Sequence, residues 1–279
     1  MKLYKVADVI IVEKNEQVYQ LNNIDWDTLI NTKDLSGYLN RVINNITALT
    51  DGLSSLNSEL QTPIGTQEVW AAGVTYLRSK VARMEESEKS GGATFYDKVY
   101  DADRPELFFK ANAQRVMGNG QKVRIRKDST WNVPEPELVL VVNSVGNIVG
   151  YTIGNDMSSR SIEGENPLYL PQAKVYDGSA AIGPCVLVKE EEPIPSTTTI
   201  TIQIKRAGAV IYSGETTIDQ MKRKHEELVD FLYRECSFPQ GAYLMTGTCL
   251  VPDDDFTLQS NDEIAINIEG IGTLNNVVA

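Results

Sequence analysis

The stretch WNVPEPELVLVV, beginning at Trp131, sets two glutamates between prolines at the start of an apolar run. Side chains two apart on a strand share a face, so Glu135 and Glu137 project together. Pro134 and Pro136 cannot donate ladder hydrogen bonds, which marks this end of the strand as an edge or a mouth. The chain continues through Val142, carries a turn signal in NSVGN, and returns through IVGYTIGND. An antiparallel hairpin folded about residue ~146 brings position ~156 back opposite position ~136. Asp156 is the residue there. A change of turn type moves the register by a residue and leaves the acids close. Three carboxylates within a few ångströms repel one another unless a cation compensates. All-oxygen ligands suit a hard ion: magnesium, with manganese or calcium as substitutes. Three protein ligands leave positions for water or substrate. The same spacing would also serve a solvated strand edge that discourages edge-to-edge pairing.

The elements that must position these acids can be read from periodicity. VADVIIVEKNEQVYQL reads as two strands about a turn, and the chain from Trp26 to about Leu56 as helical. Residues 1–62 are therefore expected to form a small N-terminal α/β unit, with Pro63 and Gly65 as a hinge. Residues 63–279 are expected to form the catalytic domain. VWAAGVTY reads as a strand and LRSKVARMEESEKS as a helix, followed by a long loop, GGATFYDKVYDADRPE, of the kind that serves as a lid or binding segment. LFFKA, KVRIRK, ELVLVV, IVGYTIG, AAIGPCVLV, TTITIQIKR, AVIYSGE, YLMTGT and DEIAINIEGIGTL read as strands. QMKRKHEELVDFLYREC is the one clear late helix. The pattern is α+β and mostly antiparallel, a folded roll.

Bulk properties narrow the function classes. With 279 residues, 42% of them hydrophobic, the chain can build a substantial core. A net charge of -12 and the lack of a basic stripe argue against a nucleic-acid partner. No apolar run approaches the ~20 residues that cross a bilayer, and no signal peptide is expected. Cys185, Cys236 and Cys249 form neither a disulfide framework nor a zinc spacing, which fits a cytoplasmic protein. No glycine-rich phosphate loop stands between a strand and a helix.

PEPEL followed by GYTIGNDMSSRS resembles the metal-binding core of the fumarylacetoacetate hydrolase family. AKVYDGSAAIGPCV, LMTGT and IEGIGTLNN resemble further segments of that family in order. The likeness runs from about residue 65 to the end. It implies a β-roll catalytic domain in which Glu135, Glu137 and Asp156 hold magnesium with Lys174 nearby, and a homodimer or homotetramer. Hydrolytic members carry a G-x-N-Y-x-x-H-x-x-E segment whose histidine and glutamate activate water. Here the corresponding stretch is GVTYLRSKVA, with Ser79 in place of the histidine and Ala82 in place of the glutamate. The only histidine, His225, falls on the late helix, where a packing role is expected. GVTYLRS, RPELFFKA and SSRSIEGENPLYLPQAKVYDGS instead resemble the branch that dehydrates 2-keto-3-deoxy-pentonates in pentose catabolism. In that branch the glutamate at the position of Glu106 serves the active site.

The chemistry expected from that likeness suits the residues. A 2-keto acid offers two oxygens to an open magnesium site, and polarising its keto group acidifies the C3 protons. Enolate formation needs a base, and loss of the C4 hydroxyl needs an acid. Lys174 is the candidate base and Glu106 the candidate acid, with the reverse assignment open. The product from a pentonate would be 2,5-dioxopentanoate. Arg160 could pair with the substrate carboxylate, or else brace Asp156 or Glu163. Ser79, Tyr76 and Thr248 could hydrogen-bond substrate, and Asp177 could orient Lys174. The alternative is a hydrolase or lyase that cleaves a C–C bond in an acylpyruvate or diketo sugar acid.

Overall fold

The computed structural model describes residues 1–7, 9–50, 60–78 and 98–279. The segments expected as a helix after Arg78 and as the first part of the long loop lie outside the described residues. The hinge of the sheet architecture is the run Pro136–Val142, PELVLVV, in which every residue is buried. Such a run needs cover on both faces. Leu138, Leu140 and Val142 point into a core shared with Ile200, Ile202, Ile264, Ile266 and Leu274. Val139 and Val141 point the other way, into a core with Trp26, Leu29, Leu35 and Leu39. Each fully buried branched side chain there contributes about 1.5–3 kcal/mol relative to exposure.

Two sheets produce this arrangement. Among the described residues the larger has eleven strands. Its main path runs Gln17–Leu21, Val9–Lys14, Lys2–Val6, Ala180–Val188, Ile148–Asp156, Pro136–Val142, Ala242–Met245, Glu68–Gly73, Glu106–Asn112. The smaller, five-stranded sheet runs Ala209–Thr217, Thr199–Arg206, Glu263–Ile268, Gly272–Val278, Lys122–Val123. Most pairings are antiparallel, and the α+β roll expected from the sequence is what forms. The helices Trp26–Ile30 and Leu35–Ile43 cover the far face of the large sheet. The stretch expected to be helical gives these two, with Asp34 capping a fresh start by accepting from the Gly37 amide at 2.9 Å; the second ends at Ile43, and residues 51–56 of the stretch lie outside the described residues.

The N-terminal strands extend the same sheet as the acids. Lys2–Val6, which the sequence reading passed over, pairs with Ala180–Val188 in the register Lys2↔Leu187. The segment around Pro63 and Gly65 is stitched on both sides: Tyr243 Oη donates to the Pro63 carbonyl at 2.6 Å, and Thr66 Oγ1 and Gln67 Nε2 donate to the Asp27 carboxylate at 2.5 and 2.8 Å. KVRIRK gives only the short strand Lys122–Val123. The late helix is His225–Tyr233, shorter than its periodicity suggested. Met221 lies before it and bridges to Tyr76, and Arg223 spends its guanidinium on the carbonyls of Val99, Ala102 and Asp103. His225 begins the helix and packs beside Tyr151, with burial holding its imidazole below the usual range.

Register within the central hairpin decides which acids meet. Pro136 pairs with Asn155 and Val141 with Gly150, and a bulge then shifts Val142 to Ile148. The turn beyond it is fastened in place. Asn143 Oδ1 accepts from the amides of Val145 and Asn147, Ser144 N donates to Asn31 Oδ1, and Tyr233 Oη donates to the Asn143 carbonyl. Asp156 consequently faces Glu135, not residue 136, and its amide donates to the Glu135 carbonyl at 2.9 Å. Directly opposed residues share a face, so the convergence depends on this register: opposite residue 136 Asp156 would have taken the other face, and the expected tolerance of a one-residue shift does not hold.

Candidate active site

Six strand ends meet at one edge of the large sheet: the starts of Pro136–Val142, Glu106–Asn112 and Ala180–Val188, and the finishes of Ile148–Asp156, Glu68–Gly73 and Ala242–Met245. Glu135, Glu137 and Asp156 gather there, all buried, with one carboxylate oxygen of each within 4.8 Å of the others. The space they border measures about 20 Å³ and is also lined by Gly73, Phe108, Arg160, Lys174 and Thr248. That is room for one water-sized ion.

The charges are balanced unevenly. Arg160 Nη2 donates to Glu135 Oε1 at 2.6 Å. Lys174 Nζ lies 2.5 Å from Glu135 Oε2 and 3.2 Å from Asp156 Oδ2. Glu137 accepts from the Gly247 amide at 2.6 Å. Burial, followed by the charges of Asp156 and Glu135, pushes the Glu137 carboxyl well above the usual carboxylate range. An acid crowded in this way gains most from a further cation. The donor set is all oxygen and hard, so the residues fit a magnesium ion. Gly247 can present its amide here because it adopts φ +91°, a conformation that side chains resist.

Other expected residues fall in different places. Glu106 pairs across the sheet with Gly73, and its carboxylate occupies the space a Cβ at Gly73 would need, 1.8 Å from Glu106 Oε2. It therefore stands over a residue that lines the cavity. Gly73→Ala is expected to push this carboxylate aside, lowering kcat while the melting temperature changes little; steady-state kinetics beside a melting curve will check it. Thr248 lines the cavity and accepts from the Leu250 amide. Tyr76 is buried near Cys249 and Glu137 but is not among the lining residues, and burial raises its phenol. Ser79 lies outside the described residues.

Two site expectations change. Asp177 does not orient Lys174: its carboxylate is 71% exposed and pairs with Arg115 and Arg124, because the helix Leu170–Lys174 ends before it and the turn carries it outward. Arg160 braces Glu135 at 2.6 Å in place of Asp156, while the expected pairing with Glu163 is present at 4.0 Å. Asp156 is braced instead by Lys110, a residue the sequence reading missed. Lys110 is fully buried, pairs with Asp156 Oδ1 at 2.6 Å, and donates to the carbonyls of Met157 at 3.0 Å and Lys174 at 2.5 Å. Alternation sets Glu106 and Phe108 on one face, but the register shifts at Lys110, which has no partner between Phe109 and Ala111, so periodicity gave little signal for it.

The family model described as fumarylacetoacetate hydrolase C-terminal matches residues 69–279. The chain belongs to the fumarylacetoacetate hydrolase family. A probable 2-keto-3-deoxyxylonate dehydratase of Haloferax volcanii is 52% identical over 216 residues, which make up 77% of this chain and 73% of that protein. A 2-dehydro-3-deoxy-D-arabinonate dehydratase of Saccharolobus solfataricus is 45% identical over 213 residues, 76% of this chain and 72% of that protein. A solved 2-keto-3-deoxy-D-arabinonate dehydratase complexed with magnesium and 2,5-dioxopentanoate superposes with a TM-score of 0.82 at 36% identity, covering 100% of this chain and 98% of that one.

Proposed function

We propose that this protein carries out the magnesium-dependent dehydration of a 2-keto-3-deoxy pentonate to 2,5-dioxopentanoate. The observation that carries the reading is the buried triad Glu135, Glu137 and Asp156 with Lys174 set against two of its oxygens. The two dehydratase relatives, and the complex of one such enzyme with magnesium and 2,5-dioxopentanoate, support it. Held by the triad, magnesium supplies a Lewis acid that polarises the keto group of a chelating 2-keto acid.

The chain's own residues do the proton work. Once its nitrogen has left Glu135 and Asp156 and its ammonium has given up a proton to solvent, Lys174 takes a proton from C3 as the neutral amine. Those two inner oxygens are the ones a metal needs, so metal uptake and release of the lysine go together. Glu106 hands a proton to the departing C4 hydroxyl. Water leaves, and the unsaturated alcohol tautomerises to the aldehyde. Thr248, which lines the cavity, positions the substrate. Arg160 keeps Glu135 in place.

The test is direct. Supplied with 2-keto-3-deoxy-pentonate and magnesium, the protein forms 2,5-dioxopentanoate, followed by coupled oxidation of the aldehyde. Release of pyruvate or a second acid fragment would signal C–C cleavage and sink the reading. No helix among the described residues is long and apolar enough to cross a membrane. We further propose a cytoplasmic homodimer or homotetramer, with light scattering as the readout of assembly.

A further inference from the structure

Each acid of the triad has one oxygen held from behind by a protein donor. Arg160 Nη2 holds Glu135 Oε1, the Gly247 amide holds Glu137 Oε2, and Lys110 Nζ holds Asp156 Oδ1, each at 2.6 Å. Lys110 also ties together two separate segments. Its acceptors beyond Asp156 are the carbonyls of Met157, just past the strand Ile148–Asp156, and of Lys174, the last residue of the helix Leu170–Lys174. An ammonium has three N–H groups; the two carbonyls take one each, and the contact with Asp156 Oδ1 is an ion pair. The carbonyl at a helix end has no donor within its own helix, so it depends on one from outside.

We propose that Lys110 is a positioning residue for both the metal site and Lys174, an inference that rests on the metal-dependent reading above. Tying Oδ1 leaves Asp156 to present Oδ2 to the interior, as a single-oxygen ligand. Holding the Lys174 carbonyl fixes the point from which the catalytic side chain reaches the same acids. Lys110 is fully buried and does not line the cavity, so it acts through these two residues and not on substrate.

Lys110→Met keeps most of the side chain's length and removes its charge and its donors. Calorimetric titration of the folded variant with Mg²⁺ is expected to show a Kd weakened by about 10–100-fold. At magnesium concentrations that saturate the weakened site, kcat is expected to stay at least roughly tenfold below wild type, with KM near its normal value. A wild-type Kd removes the hold on Asp156, and a wild-type kcat removes the hold on Lys174; either overturns the proposal. Should Lys110→Met not fold, Lys110→Gln, which drops the charge and keeps a donor, carries the same expectation for Kd. Wild-type protein that takes up no Mg²⁺ defeats the metal-dependent reading itself, whereas normal uptake with an indifferent Lys110→Met defeats this inference alone.

Discussion

Lys174→Ala is expected to keep its magnesium and lose turnover, with kcat falling by on the order of 10²–10⁴-fold, the usual contribution of a positioned acid or base. The two halves of that expectation have separate grounds. The lysine nitrogen lies against Glu135 Oε2 and Asp156 Oδ2, and both oxygens stay when the side chain is removed. A cation that competes with the metal for them is gone, so magnesium binding holds or tightens. Alanine offers nothing to C3, and the fully buried position gives bulk water poor access to replace it. Calorimetry with Mg²⁺ and single-turnover kinetics on the same sample separate the halves. Wild-type turnover in this variant would leave the lysine as a counter-charge only and end its catalytic role.

Glu137→Gln is expected to act in the opposite order, losing metal first and activity as a result, with the magnesium Kd weakened by about a hundredfold or more. Glutamine keeps the shape and can still accept from Gly247, but it brings no negative charge. Without metal the variant should be as stable as wild type, or more so. The Glu137 carboxyl is raised above its ordinary value of 4.5, so the folded chain binds its proton more tightly than the unfolded chain does. Its contribution is therefore favourable at low pH and is lost as pH rises from the ordinary value through the folded one. Glutamine removes that slope. Adding magnesium at 100 times Kd stabilises a binding protein by about 2.7 kcal/mol. Wild type should show this as a rise in melting temperature that Glu137→Gln lacks. An equal magnesium-induced rise in both proteins would remove Glu137 from the ligand set.

Short-range order carried much of this into the sequence. Strand periodicity placed Glu135 beside Glu137, and a hairpin with one turn signal brought Asp156 to them. The residue-136 pairing came out one position away because the turn centres on Val145, with Asn143 bonded to Asn147, and the bulge at Val141 and Val142 makes up only one of the two positions this displaces. What depends on distant partners was not legible. Lys2–Val6 pairs along its length with the neighbouring Val9–Lys14, and only its place in the large sheet depends on residues near Val186, far along the chain. Lys110 did not stand out within the strand LFFKA, since its acceptors arrive from segments beyond residue 150. Asp177 failed for a local reason. Nearness to Lys174 in sequence suggested contact, but the helix stops at Lys174 and the backbone turns the next acid towards Arg115 and Arg124.

The fastened turn after Val142 lies at the opposite end of the hairpin from the acids, yet its length sets their chemistry. Surface connections usually drift freely in size among related proteins. Here a single added or deleted residue that propagated down the ladder would rotate Asp156 to the far side of the sheet, because each step reverses the direction of a side chain. A loop that touches no ligand thus behaves as an indel-intolerant gauge. Tolerance to insertion should be lowest at residues 143–147, well away from any reacting atom.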